Sequence, residues 1–295
     1  MKRVLSYRIE EEVQRDNIGF FLRRRGYSRH ILSHLKNTEN GIVCNGIEVR
    51  PSHILQKGDE LTVTIVEEKS SENIVPVSMP LHIVYEDEDI VVINKAADMP
   101  IHPSINNFDN TLANALAAYY QEQGEAFVYR CINRLDRDTT GLLIVAKNML
   151  SGAVLSDMVK RRAIQREYLA IACGQTPPEG IIDAPIARRE ESVLERCVDF
   201  QRGEHAVTHY KTLTYKNGYS LVSLKLETGR THQIRVHMKY LGYPLTGDYL
   251  YNPDYTLMSH QALHSHRLAF KHPITGADME FMIPPPWSFF MEQEI

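Results

Sequence analysis

The four cysteines of this chain, Cys44, Cys131, Cys173 and Cys197, stand far apart and form no CxxC pair. Their spacing argues against both a disulfide framework and a zinc cluster. No apolar run approaches the roughly 18 residues that a membrane span needs, and GLLIVA at 141–146 has the length and bulk of a buried strand. The amino terminus, MKRVLSYRIEEEVQR, carries basic residues with no apolar stretch behind them, so no signal peptide is expected. Neither GxGxxG nor a P-loop occurs, and nothing matches HExxH or HxE…PCxxC. A reduced, cytoplasmic protein without a metal is the simplest expectation.

What is present is the composition of an ordinary globular protein, with 43% hydrophobic and 24% charged residues. A chain of 295 residues allows one large domain, or a small domain beside a medium one. The net charge of −4 does not itself suggest nucleic acid, but charge is unevenly spread. Five basic residues and no acidic one lie between Phe20 and Lys36: Arg23, Arg24, Arg25, Arg29 and Lys36. Between Arg130 and Tyr168 there are eight basic residues against four acidic ones. Such patches fit a protein that grips one face of an RNA, and they equally fit solvated helix faces.

Along the chain, Phe20, Phe21 and Leu22 precede the first basic run, and Ser28 is placed to cap a second helix with Ile31, Leu32 and Leu35 inward. Asn45-Gly46 predicts a tight turn between short strands, and LTVTIV after Gly58-Asp59 predicts a half-buried strand. Two helices followed by a small sheet make a module over residues 1–67. The polar stretch at 68–80, with two prolines, reads as a linker. From 81 to 295 strands and helices mix without strict alternation. HIVYEDEDIVVINK predicts two strands around an acidic turn, TLANALAAYYQEQ a helix capped by Asn110 or Thr111, and SGAVLSDMVKRRA an amphipathic helix with a basic end. THQIRVHMKYL is grouped with the strand-like or mixed segments. The expected fold is α+β, with a mixed, mainly antiparallel sheet and flanking helices.

Two motifs carry chemistry. Asn133-Arg134-Leu135-Asp136-Arg137-Asp138-Thr139-Thr140-Gly141 sets carboxylates among arginines on a loop that runs into a buried strand. About 90 residues later comes Glu227-Thr228-Gly229-Arg230-Thr231-His232-Gln233-Ile234-Arg235-Val236-His237. Loops held by a rigid scaffold are common homes for catalytic groups, and a nearby cation would keep Asp136 ionised as a nucleophile or base. The plainer alternative pairs Asp136 and Asp138 with Arg134 and Arg137 on the surface.

Taken in order, several segments resemble the RluA family of RNA pseudouridine synthases from about residue 80 to the end. They are KAADMPIHPS at 95–104, NRLDRDTTGLLIVAKN at 133–148, REYLAIACG at 166–174, ETGRTHQIRVHMKYLGYPLTGD at 227–248 and LHSHRLAFKHPITG at 263–276. The first 67 residues resemble an S-four-type RNA-binding domain through LRRRGYSRHIL, the Asn45-Gly46 turn and KGDELTV. The resemblance implies an isomerase that converts selected uridines of a structured RNA to pseudouridine without a cofactor. It implies that Asp136 is the catalytic carboxylate, Arg235 the basic residue paired with it, and Tyr168 the active-site tyrosine. Arg134 is then the arginine expected near the flipped-out nucleotide, with Arg230 and His102 as further RNA contacts. In the amino-terminal module, Arg23, Arg24, Arg25 and Arg29 would contact phosphates. RNA is the expected partner, ribosomal ahead of transfer RNA, and a monomer is the default. One position departs from the pattern, with Asn133 where the family usually has histidine. Asparagine can hydrogen-bond but cannot titrate.

Two other classes stay open at this level. A non-catalytic RNA-binding protein of the same fold would be favoured by Asn133 alone, and a nucleoside hydrolase would use Asp136 to release free base. His232, His237, His264 and His266 invite a metal reading, but their spacing matches no zinc motif. Pro284-Pro285-Pro286-Trp287 is expected to pack the end of the chain.

Overall fold

The computed structural model describes residues 1–10 and 16–287; residues 288–295, the end of the second expected segment, lie outside them. The chain opens with strand β1 (Lys2–Arg8), helices α1 (Ile18–Arg24) and α2 (Arg29–Lys36), and strands β2 (Ile42–Cys44), β3 (Ile47–Glu48) and β4 (Glu60–Val66). Asn17 caps α1 through the Phe20 N–H and Ser28 caps α2 through the Ile31 N–H, as the second cap was read from sequence. Asn45 and Gly46 both have positive φ, 51° and 79°, the geometry of a two-residue hairpin turn. The four strands form an antiparallel sheet in the order β1-β4-β2-β3. Ile18, Phe21 and Leu22 of α1 and Ile31 and Leu35 of α2 pack with Leu61, Val63 and Ile65 of β4 in one core.

Strand β1 is a departure from the expected helices-then-sheet order. Lys2 to Arg8 pairs along its whole length with β4, from Lys2 opposite Val66 to Arg8 opposite Glu60. Only Leu5 is buried in it, so its alternation is too polar to mark a strand. Its place is fixed by ladder bonds to residues between 52 and 64 positions away, which local pattern does not register.

The second part comprises β5 (Ile83–Glu86), β6 (Ile90–Lys95), α3 (Leu112–Glu122), β7 (Thr140–Ala146), α4 (Met149–Lys160), β8 (Gln165–Cys173) and β9 (Glu179–Asp183). It continues through β10 (Ile186–Arg188), β11 (Arg196–Val198), β12 (Val207–Lys216), β13 (Tyr219–Leu226), α5 (Gln233–Tyr240), β14 (Leu263–Lys271) and β15 (Asp278–Met282). A nine-stranded sheet runs β5-β6-β7-β14-β8-β13-β12-β9, with β15 added to β14. Only β7 and β14 pair in parallel among the described strands, so the mixed, mainly antiparallel α+β fold is the one observed. Period-two alternation divides the residues between two cores. Val91, Ile93, Leu143 and Val145 face α3 and α5, while Ile90, Val92, Leu142, Ile144 and Ala146 face α4. Thr111, not Asn110, caps α3, in a reciprocal box with Asn114. Trp287 is buried and lies edge-on to His264, so the proline-rich end does pack back.

The segment THQIRVHMKYL corrects the strand-like expectation. Residues 233–240 are helix α5, in which every side chain from Gln233 to Met238 is buried. A helix enclosed on all sides shows no clean 3.6-residue pattern, and the alternation of Ile234, Val236 and Met238 mimics a strand.

The stretch at 68–80 has no regular element, yet it is pinned. Ser71 donates its N–H to the Phe127 carbonyl at 3.1 Å, and Asn114 Nδ2 donates to the Val75 carbonyl at 2.7 Å.

Two glycines separate conformational cost from steric cost. Gly46 has φ +79° and open space where a Cβ would stand; Gly141 has φ +109°, and its Cβ would lie 2.4 Å from the Ser265 carbonyl oxygen across the parallel β7–β14 pair. Gly46→Ala is expected to cost about 1 kcal/mol and Gly141→Ala roughly 3 kcal/mol or more, read from urea unfolding midpoints. Equal losses would mean that the close approach at Gly141 relaxes freely.

Candidate active site

The loop before β7 is fixed at several points before any reactive group is considered. Asn133 is buried; its Oδ1 accepts the Ile144 N–H at 2.9 Å and its Nδ2 donates to the Leu142 carbonyl at 3.4 Å. Its amide is therefore used in clipping the loop to β7. Asp136 and Thr139 close a turn, with the Thr139 N–H donating to the Asp136 carbonyl at 3.1 Å. Behind that turn sits Lys95, only 1% exposed, whose ammonium donates to the carbonyls of Ala96, Met99 and Arg137 at 2.7, 3.0 and 2.7 Å. Burial pulls this lysine down to about 7, against the opposing charges of Asp138 and Asp136. Three carbonyls for three N–H donors is the full complement of an ammonium.

Arg235, on the first turn of α5, is the largest fully buried side chain of the molecule's described residues. Its Nε and Nη2 donate to the two oxygens of Asp248 at 2.7 Å each, and its Nη1 donates to Asp136 Oδ2 at 2.8 Å. Asp248 is itself fully buried and accepts the backbone N–H groups of Leu250 and Tyr251. Burial opposes the guanidinium charge, but the hydrogen bonds to Asp248 and the charge of Asp136 outweigh it and hold Arg235 above its ordinary range. One edge of the guanidinium is thus locked by a buried carboxylate, and the remaining donor is aimed at Asp136. The Asp136 side chain is 27% exposed, so its carboxylate also meets the open cleft.

Around this pair lies a cleft of about 1250 Å³. Asp136, Tyr168, Arg235, Arg134, Arg230 and His102 all line it, so residues from widely separated motifs converge on one space. Tyr168 comes from β8 opposite Ser265 of β14, and burial raises its phenol above the ordinary value. A neutral ring suits packing better than proton removal. Arg134 is exposed and has no acidic partner among the described residues. Arg230 is less free: it pairs with Glu204, and its Nε donates to the His205 carbonyl at 3.1 Å. His102 lies edge-on to Tyr129, and burial with nearby Arg134 lowers its pKa.

Of the surface alternative for the RLDRD motif only one pairing holds, and its aspartate, Asp138, is buried. Arg137 Nη2 pairs with Asp138 at 3.0 Å, whereas Asp136 turns inward to Arg235. Arg23, Arg24, Arg25 and Arg29 do not join the cleft; they lie on and beside α1 and at the start of α2. Arg24 pairs with Asp16, and the Arg25 guanidinium stacks 3.7 Å from the Phe21 ring centre.

Three contributors carried no role in the sequence reading. Asp248 ends the GYPLTGD segment, and its pairing across 13 residues is set by the fold. Lys95 opens KAADMP but its acceptors are backbone atoms, which no side-chain pattern reveals. His232 was weighed as a metal ligand and otherwise expected to be structural or RNA-facing, with no link to Asp136. It stands in the left-handed region at φ 58°, bonds Tyr251 Oη at 2.9 Å, and brings Nε2 to 3.8 Å from Asp136 Oδ2. The other histidines have protein partners: His237 bonds Thr208 and the Ala184 carbonyl, His264 bonds Thr140, and His266 bonds the Ile283 carbonyl.

Known proteins resemble this chain in sequence and fold. Residues 89–240 match the family model described as RNA pseudouridylate synthase. The chain is 40% identical over 262 residues to the uncharacterized RNA pseudouridine synthase YjbO of Bacillus subtilis (strain 168), covering 88% of this chain and 92% of that protein. It is 39% identical over 279 residues to ribosomal large subunit pseudouridine synthase D of Pasteurella multocida (strain Pm70), covering 89% and 85%. Among solved structures, human RNA pseudouridylate synthase domain containing 1 superposes with a TM-score of 0.59 at 28% identity, over 70% of this chain and 84% of that one.

The lock on Arg235 predicts an asymmetry between its two carboxylates. Asp248→Asn is expected to destabilise by about 3 kcal/mol, because it removes the charge partner of a buried guanidinium. Asp136→Asn, at the cleft surface, should stay within about 1 kcal/mol of the parent. Urea unfolding of both variants checks this; equal losses would show that Asp136 is as structural as Asp248.

Proposed function

The chain belongs to the RNA pseudouridylate synthase family, and we propose that it is a member of the RluA type that isomerises uridines of ribosomal RNA with Asp136 as the catalytic carboxylate. The observation that carries the assignment of Asp136 is its position: a carboxylate open to the cleft and held by a guanidinium that Asp248 has already oriented. The ribosomal target rests on the likeness to large-subunit synthase D.

In the proposed reaction the bond between uracil N1 and ribose C1′ breaks, and the detached base turns within the cleft. Carbon 5 then bonds C1′, the C5 proton leaves, and N1 takes up a proton, so atoms and electrons balance without a co-reactant. Asp136 acts on the ribose, either by attacking C1′ or by removing a ribose proton; both begin from the carboxylate that Arg235 faces. Tyr168 offers a flat, neutral ring against which the free base rotates. Arg134, without an acidic partner among the described residues, is suited to the phosphate or the vacated stack of a nucleotide that must leave its helix to react. Asn133 does not weaken this reading, since its amide serves β7 and no titrating group is needed there. No cofactor enters the reaction.

We assign residues 1–67 as an S-four-type RNA-binding module and 81–295 as the catalytic part, joined by 68–80. Arg23, Arg24, Arg25 and Arg29 would supply phosphate contacts, with Arg230 and His102 at the cleft. The chain is proposed to act in the cytoplasm as a monomer.

Asp136→Asn is expected to lower turnover at least about a thousandfold while RNA affinity stays within about threefold. Pseudouridine mapping by carbodiimide-blocked primer extension, on RNA from a deletion strain carrying either form, identifies the site. A site restored equally by both forms would remove Asp136 from the chemistry. Replacing Arg23 and Arg29 together by Ala should flatten the slope of log affinity against log salt by about 1.5. An unchanged slope would place the phosphate contacts elsewhere.

A further inference from the structure

Helix α4 belongs to two cores at once. Leu150, 1% exposed, is part of the amino-terminal core, with Met149, Ala153 and Val154 packed against it. Leu155, Met158 and Val159 pack instead on the large sheet. At the helix start two carboxylates arrive from opposite sides. Glu67, just after β4, accepts the Met149 N–H at 3.1 Å and pairs with Arg130. Asp89, before β6, accepts Arg3 of β1 at 2.9 and 2.8 Å and Nδ2 of Asn148, the residue that caps α4, at 2.8 Å. Anions at a helix amino end are favoured by its unpaired N–H groups and dipole. Each carboxylate also crosses between the two parts, one in each direction. The α1–α2 turn completes the contact: a Cβ on Gly26 would stand 2.5 Å from a Val154 methyl.

The far end of the same helix reaches the cleft. Val159, Lys160 and Arg162 line it, and Lys160 lies six residues, roughly 9 Å, beyond Val154. We infer that α4 fuses the amino-terminal module and the cleft into one rigid RNA-binding surface, so that RNA held at Arg25 and Arg29 is fed across Lys160 and Arg162 to Asp136 in a fixed register. The partner is the stretch of RNA flanking the target uridine. A module swinging freely on its linker would uncover Leu150 and part Arg3 from Asp89, a residue only 2% exposed. The inference rests on the RNA-modifying reading above and adds how the substrate is positioned.

The test uses the full-length protein and the double variant Arg3→Ala, Glu67→Gln, which removes the module's charge from both crossing ion pairs and changes no residue that lines the cleft. Hydrogen exchange without RNA reads docking directly. In the parent the amides at 149–154 should be as protected as those of β1 and β4. In the variant they should lose protection at least tenfold while β8 and β14 keep theirs. Filter binding and tritium release then use total RNA labelled with [5-³H]uridine from a strain lacking the gene. The dissociation constant and the half-saturating RNA concentration should rise about tenfold, with maximal turnover within twofold. Arg3→Lys alone should stay within twofold of the parent in all three. Free exchange of 149–154 in the parent would overturn the inference. So would undocking with unchanged affinity, or a fall in turnover with no change in half-saturation. If the parent releases no tritium, the enzymatic reading fails, and exchange with filter binding still decides whether docking governs RNA affinity.

Discussion

The site depends on a single buried guanidinium. Arg235 lies in the interior with one edge held by both oxygens of Asp248 and a third donor left to point at Asp136. A charge in such surroundings is tolerated only when it is paired and its donors are satisfied. Once Asp248 has met most of that requirement, the position of the remaining N–H is no longer adjustable. Asp136 is therefore placed by a partner that cannot move, which is the preorganisation that proposed chemistry at a ribose would need. The Asp248 turn, the α5 helix and the rings of Tyr249 and Tyr251 around the guanidinium serve this arrangement.

The other half of the pair is a loop, and loops are ordinarily the mobile part of a site. Here its backbone is immobilised from beneath. Lys95 gathers three carbonyls, one of them that of Arg137. Asn133 clips onto β7, and Gly141 admits Ser265 to a distance that a side chain would forbid. Gln261 adds a hydrogen bond to Thr139 at 2.8 Å. These contacts hold the backbone while the side chains of Arg134 and Asp136 line the cleft. Among them, Asn133 has a structural use that needs no titrating group. The residue works on strand geometry, where asparagine's paired donor and acceptor suit two neighbouring peptide groups.

Helix α4 extends the same principle to a larger scale. Its middle and end pack on the sheet that carries the site, and its beginning is enclosed by the amino-terminal core. Two distinct sheets are thus held against a common rod, with carboxylates at the end where a helix favours them. Local charge on α1, α2 and the close of α4, unremarkable as composition, acquires direction from that packing.

Much of the fold was legible because it rests on short-range rules. The Ser28 cap, the Asn45-Gly46 turn and the apolar β7 run each depend on neighbours a few residues away, and the structure has them as read. The Asp136 and Arg235 motifs were legible as chemistry, and their order carried a resemblance that the comparisons support at family level. Strand β1 and helix α5 were misread for a shared reason: one is stabilised by a distant ladder and the other is buried on every face, so neither displays its period. Sequence alone therefore determined the residue types, the caps and turns, and the family. Only the tertiary structure decided that Asp136 rather than Asp138 turns to Arg235, and that Asp248 orients that arginine. It alone placed Lys95 beneath the loop and the amino-terminal module on α4. Those are contacts between groups far apart along the chain, and the free energy that selects them comes from burial and charge pairing, which exist only once the chain has closed.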